Sequence, residues 1–258
     1  MKENGDPAAV RLMNMPNNRT LTYRIFRHDP KDPSSVPHYD TFQVMDRPFL
    51  SVFLAMEEIQ QKQDPSLYYD ICCRSNVCGS CAVNVNGRPM LACKTQTADI
   101  PDHVTIDPLR YFDFIKDVSV DKGRWFMEMT RRIEGWIHTS KPFNEKLENI
   151  QKADDQIPVY EAERCIECGI CIEACGATHM NENYLGPAGL NRAYRFLRDT
   201  RDERALDEFA SQLFSEDGVF GCEAMLGCRN FCPKQIPLPY HFGILRRRIL
   251  ARVFLGKK

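Results

Sequence analysis

Between Leu21 and Arg27 apolar and polar positions alternate, with Leu21, Tyr23 and Ile25 set against Thr22 and Arg24, which predicts a strand buried on one face. After the turn-rich HDPKDPSSVP a second strand is expected over Thr41 to Val44. The period then lengthens. Leu50, Phe53 and Leu54, with Glu57 and Glu58, fall at helical spacing and predict a helix that lays its apolar face across a sheet. Further on, Ala82-Val-Asn-Val and Arg88-Pro-Met-Leu flank Asn86-Gly87, the residues of a tight hairpin turn. From about Tyr111 strand signals stop: Phe112, Ile115 and Val118, then Trp125, Met129, Ile133, Trp136 and Ile137, read as helical stripes. A polar connection over Lys141 to Gln156 leads to helices over Ala188 to Thr200, Glu203 to Phe214 and Tyr240 to Leu255. Strands first and helices second define an α+β chain, with a poorly ordered arm at 1–19, a strand-rich domain at 20–115 and a helical domain at 116–258.

At 258 residues, 43% of them hydrophobic, the chain can bury a core in each of two domains. Lysine and arginine number 34 against 35 acidic residues, a formal charge of −1 that gives no reason to expect nucleic acid as a partner. The start, MKENGDPAAV, has no secretory pattern, and the longest apolar window, Pro48 to Met56, is too short to span a bilayer. An intracellular setting is therefore expected. Twelve cysteines in a reducing compartment argue for metal ligation rather than disulfides.

Their spacing says which metal group. Cys165, Cys168, Cys171 and Cys175 form CxxCxxCxxxC, a run in which three thiolates wrap one cubane and the fourth points to a second. Cys222, Cys228 and Cys232, the last followed by Pro233, repeat that spacing with Met225 in place of the second cysteine. Crossing the runs assigns Cys165, Cys168, Cys171 and Cys232 to a 4Fe-4S cluster. It leaves Cys175, Cys222 and Cys228 for a second cluster. A thioether is a far poorer iron ligand than a thiolate, so Met225 implies a 3Fe-4S cluster lacking one corner. Earlier, Cys73, Cys78, Cys81 and Cys93 have the plant-type spacing for a 2Fe-2S cluster, with Ser75, Gly79 and Ser80 in a loop close enough for backbone N–H groups to reach sulfur. Cys72 is left over and is read as a buried neutral thiol. The competing reading, a structural zinc site, ordinarily uses two CxxC pairs.

These motifs resemble the iron-sulfur subunit of the succinate dehydrogenase and fumarate reductase family. The resemblance runs from about Leu21 to Lys258 through VCGSC ending at Cys81, LACKT at 91–95, CIECGIC at 165–171, GPAGL at 186–190 with AYRF following, DERALDEF, and GVFGCEAMLGCRNFCPK ending at Lys234. It implies a β-grasp 2Fe-2S ferredoxin domain followed by an all-α two-cluster ferredoxin domain, with the ligands just named. It further implies a subunit that relays single electrons between an FAD-containing flavoprotein, where fumarate and succinate interconvert, and a membrane anchor that uses quinone. No acid-base catalysis is expected on this chain. By the same resemblance it is peripheral, without a membrane span, at the cytoplasmic face of the inner membrane.

One departure narrows the family. Many succinate dehydrogenases carry a tryptophan pair after the first run, whereas here Gly176 to Tyr184 has none and no tryptophan follows Trp136. That is similar to menaquinone-linked enzymes whose anchor is a dihaem cytochrome b, and favours menaquinol:fumarate reductase over succinate dehydrogenase. His179 is expected to be a surface or packed residue, and His28, His38, His103, His138 and His241 have no ligand spacing. The basic tail around Arg246, Arg247, Arg248 and Arg252 suits either an anchor and an anionic leaflet or a solvated last helix.

Overall fold

The computed structural model describes residues 19–141 and 149–256. The arm expected at 1–19 lies outside these except for Arg19, as do residues 142–148 of the polar connection and the last two lysines of the tail. Two compact units divide between Asp121 and Lys122.

Among the described residues, the first unit is built on a five-stranded sheet with one α-helix. Strands β1 (Thr20–Arg27), β2 (His38–Met45), β3 (Ala82–Val85), β4 (Arg88–Leu91) and β5 (His103–Asp107) take the order β2-β1-β5-β3-β4. All pairs are antiparallel except β1 with β5, which run parallel through Tyr23↔Val104 and Ile25↔Ile106. The alternation in β1 places Leu21, Tyr23 and Ile25 wholly inside. Helix α1 (Val52–Lys62) is capped by Ser51, whose hydroxyl accepts from the Leu54 N–H at 3.2 Å. It buries Val52, Phe53, Ala55, Met56 and Ile59, while Leu54, expected on the apolar face, points out. The turn between β3 and β4 uses left-handed Asn86 and Gly87, as a two-residue hairpin requires.

Where Phe112, Ile115 and Val118 were expected on a helix, the chain forms a small hairpin, β6 (Asp113–Lys116) and β7 (Ser119–Asp121). Asp117 at its turn has φ 50 and accepts from the backbone N–H groups of His28 and Tyr68, so partners far along the chain fix a conformation that the spacing does not reveal.

The second unit is helical. It contains α2 (Lys122–Arg132), α3 (Ala153–Glu163), α4 (Ile170–Glu173), α5 (Gly176–Met180), α6 (Gly186–Arg198), α7 (Leu206–Leu213), α8 (Gly227–Phe231) and α9 (Leu238–Leu255). Trp136 and Ile137 fall beyond α2 and are not helical. The end of the expected polar connection is instead the start of α3, which Pro158 and a weak apolar pattern conceal. Helices α3, α6 and α9 are joined by a buried chain: Asn191 Nδ2 donates to the Ala162 carbonyl at 2.9 Å and its Oδ1 lies 2.8 Å from His241 Nδ1. The GPAGL stretch opens α6. Gly186, at φ +63, sits where an added Cβ would come within 2.6 Å of Ile172, and this lets α6 start directly against α4.

Candidate iron-sulfur sites

In the first unit the loop from Cys73 to Cys81 is bent by left-handed residues at Arg74, Asn76 and Gly79. Alternating handedness turns successive N–H groups inward, the arrangement that makes a backbone cradle for an anion. Here the N–H groups of Ser75, Val77 and Cys78 donate to Cys73 Sγ at 3.4, 3.3 and 3.2 Å. Cys78 Sγ lies 3.1 Å from the Ser80 hydroxyl. Burial raises Cys78, but hydrogen bonds from Ser80 and the backbone outweigh it and bring the thiol down to about 6. Cys81 is pushed up to about 12 by burial, with Cys93 and Cys78 close enough to add to the rise. The β3–β4 hairpin brings Cys93 back beside Cys81, and the Ala92 N–H donates to the Cys81 carbonyl at 3.0 Å. Cys72 is exposed rather than buried, in a stretch without helix or strand just before the loop.

In the second unit Cys165, Cys168, Cys171 and Cys232 line one pocket, walled otherwise mainly by apolar groups including Phe126, Ile166, Ala188, Ile236 and Leu238. Burial pushes Cys165 up to about 11 and Cys168 up to about 12, and Cys171 well above its ordinary value. In each case the neighbouring thiols of this group add to the rise, Cys232 included. Cys228 is likewise pushed up to about 12 by burial and then by Cys175 and Cys222. Cys165, Cys168, Cys171 and Cys232 thus share one pocket, while Cys175 and Cys222 act on Cys228.

The two runs share a backbone. In the first, Glu167 (φ 51) and Gly169 (φ 82) are left-handed on either side of Cys168, and α4 begins after Gly169. In the second, Ala224 (φ 54) and Leu226 (φ 60) flank Met225 in the same way, and α8 begins after Leu226. Met225 thus occupies the counterpart of Cys168. Its side chain lies over Gly176, where an added Cβ would meet Cε at 2.8 Å. Gly227 passes so close to the Ala174 carbonyl that any Cβ would collide with it, which draws the second run onto the chain entering Cys175.

Residues that the spacing did not single out hold these loops. Arg246 on α9 donates from Nε to the Val219 carbonyl and from Nη2 to the Cys222 carbonyl, both at 2.8 Å. Thr178 Oγ1 lies 2.6 Å from the Cys175 carbonyl and 2.8 Å from that of Ile172. Arg164 donates to the Lys234 carbonyl beside Cys232. Tyr184 is buried with its ring edge against Gly221, the residue before Cys222, and the charges of Cys222, Cys175 and Cys228 act on its phenol. None of these has a local sequence signal. His179 is exposed, with Nε2 2.9 Å from the Glu173 carbonyl.

The donor sets suit iron-sulfur clusters. Thiols this deeply buried cannot ionise against one another unaided, and iron supplies the positive charge that stabilises thiolate. Backbone N–H groups and hydroxyls around the sulfurs are the remaining requirement, and the first loop provides them. Among the described residues no group of three or more His, Cys, Asp or Glu is placed to hold a single metal ion.

Comparison with known proteins gives the family. A family model described as a 2Fe-2S iron-sulfur cluster binding domain matches residues 22–127, and one described as a 4Fe-4S dicluster domain matches residues 161–236. The chain is thus an iron-sulfur protein in which a sheet-based 2Fe-2S domain precedes a helical dicluster domain. The fumarate reductase iron-sulfur subunit of Wolinella succinogenes is 43% identical over 235 residues, covering 90% of this chain and 98% of that one. The corresponding subunit of Haemophilus influenzae is 32% identical over 86% of this chain and 90% of its own. Iron-sulfur subunit 1 of mitochondrial succinate dehydrogenase [ubiquinone] from Oryza sativa is 31% identical over 88% and 82%. The solved Mycobacterium smegmatis Sdh1 complex in the apo form contains a chain of the same fold, with a TM-score of 0.80, 24% identity, and coverage of 91% of this chain and 97% of that one. The chain belongs to the family of iron-sulfur subunits of fumarate reductase and succinate dehydrogenase.

Proposed function

We propose that the chain is the electron relay of a membrane-bound quinol:fumarate reductase, passing single electrons between quinol at a membrane anchor and FAD on a flavoprotein subunit. Its clusters are 2Fe-2S on Cys73, Cys78, Cys81 and Cys93, 4Fe-4S on Cys165, Cys168, Cys171 and Cys232, and 3Fe-4S on Cys175, Cys222 and Cys228. The observation that carries this reading is the repeated loop conformation, in which the same left-handed corners flank Cys168 in the first run and Met225 in the second. When bound, such clusters supply one-electron steps between a two-electron flavin and a quinone. The protein's own part is positional. The Cys73 loop turns N–H groups toward sulfur, Arg246 and Thr178 hold the carbonyls of Cys222 and Cys175, and apolar walls keep water from the Cys165 group.

Membership of this family supports a flavoprotein and a membrane-anchor partner, and among the described residues no helix is long and apolar enough to cross a membrane. The lack of tryptophan after Trp136 supports a menaquinone-linked, dihaem cytochrome b anchor, and the family resemblance supports a position for this chain at the cytoplasmic face of the inner membrane. The relatives also include succinate dehydrogenases, so the second reading is the same relay running from succinate to quinone.

The complex purified without oxygen should hold about nine iron atoms per relay chain and give the paramagnetic signal of an oxidised three-iron cluster. Zinc in place of iron would overturn the relay. Faster succinate oxidation than fumarate reduction in the same preparation would overturn the direction.

A further inference from the structure

Tyr184 is 1% exposed, among the largest fully buried side chains, and among the described residues its hydroxyl has no hydrogen-bond partner. A buried hydroxyl without an acceptor is costly and rare, so one that persists calls for an acceptor that the polypeptide does not supply. The ring is held in place. The Tyr184 N–H donates to the Asn181 carbonyl at 3.1 Å, the next N–H, of Leu185, donates to Asp217 at 2.7 Å, and Asn181 Nδ2 reaches Asp217 Oδ1 at 2.8 Å. Gly221, just before Cys222, leaves space for the ring edge, since an added Cβ would come within 2.7 Å of Tyr184 Cδ2. After burial itself, the charges that act most on the phenol are those of Cys222, Cys175 and Cys228, the thiols of a single group; the one cation among them is Arg246.

We propose that the Tyr184 hydroxyl donates a hydrogen bond to sulfur of the cluster held by Cys175, Cys222 and Cys228, and that this bond raises the cluster's reduction potential. The proposal rests on the three-thiolate reading given above. The physical reason is direct: reduction adds negative charge to the cluster, and a fixed O–H dipole favours the more negative state.

The test is Tyr184→Phe in the assembled complex, followed by redox titration of the three-iron signal. The expected result is a lower potential, with the reduced-to-oxidised ratio at a given potential falling roughly three- to tenfold; tenfold is about 59 mV for a one-electron couple. Pulsed magnetic resonance in heavy water should also lose one exchangeable-proton coupling in the variant, a readout that ring packing alone does not move. Unchanged potential and coupling, with the wild-type signal present, overturn the proposal while leaving the cluster assignment standing. Absence of the three-iron signal in the wild type overturns the assignment itself. Should the phenylalanine variant lose its cluster, 3-fluorotyrosine at 184, a stronger donor of nearly the same shape, is expected to raise the potential. No rise there overturns the proposal.

Discussion

Met225 is 56% exposed and rests on Gly176, beside Cys175, at the position that Cys168 fills in the other run. Met225→Cys should therefore add an iron ligand to a loop already bent to present one. Iron content is expected to rise from about nine to about ten per chain, with loss of the three-iron signal, a lower cluster potential and slower quinone-linked turnover. Unchanged spectra would mean that Cys175, Cys222 and Cys228 do not share a cluster. Arg246 offers a second test. Its two bonds to carbonyls fix the entry to Cys222, and Arg246→Gln should destabilise the chain by about 1–3 kcal/mol. The three-iron signal should be lost while the other two clusters remain, as magnetic resonance of the purified complex would show. The cysteine runs are legible because their spacing is local, whereas Arg246 reaches the Cys222 carbonyl across 24 positions and Tyr184 packs on Gly221 from another part of the chain. Cys72 was misjudged for the same reason: nothing nearby in sequence says that its segment has no cover.

At the scale of elements, local chemistry foretold what local chemistry controls. Asn86-Gly87 marks its hairpin, and an added Cβ at Gly87 meets no neighbour within 4 Å, so Gly87→Ala isolates the conformational cost of φ +74. That cost should be about 1–2 kcal/mol in denaturant titration. The β6–β7 hairpin and the first turn of α3 were hidden because Asp117 is fixed by residues 49 and 89 positions away and Pro158 interrupts a helical pattern. His241 links α9 to α6 and stacks on Tyr194 at 3.9 Å, and burial pushes it down to about 4. The fold thus favours the neutral ring. Its contribution is complete above the ordinary value of 6.5 and is lost as pH falls from there toward 4. It amounts to something on the order of 3 kcal/mol, lessened by Glu161, whose carboxylate lies 3.7 Å from Nε2. Thermal midpoints of His241→Gln between pH 7 and 4 should fall less steeply than those of the wild type; parallel curves would assign the acid sensitivity elsewhere.

For the whole molecule, the two units depend on iron unequally. The core of the first is made by Leu21, Tyr23, Ile25, Val104, Ile106 and α1, and of its cysteines Cys81 alone, just before β3, is buried. In the second, Cys168 and Cys228 are themselves core residues. Iron removal by a chelator should accordingly reduce the helical circular dichroism while largely sparing the sheet. The order of strands and then helices was readable from hydrophobic period alone, since period reports which elements bury a face. The sheet order, with β1 beside β5, was not, because pairing across some eighty residues leaves no mark in the local pattern.

The matched left-handed corners of the two runs differ in one respect that bears on motion. The first uses Gly169, which adopts φ > 0 freely, while the second uses Leu226, whose Cβ disfavours it by roughly 1–2 kcal/mol. Without its metal, the second loop, with Ala224 and Leu226 both left-handed, gains more by springing open than the first, where only Glu167 carries that cost. Amide exchange in the iron-depleted protein should be faster through Ala224 to Gly227 than through Glu167 to Ile170. Refilling should likewise begin at the first loop, so that the order in which the chain matures is set by a leucine standing where its twin has a glycine.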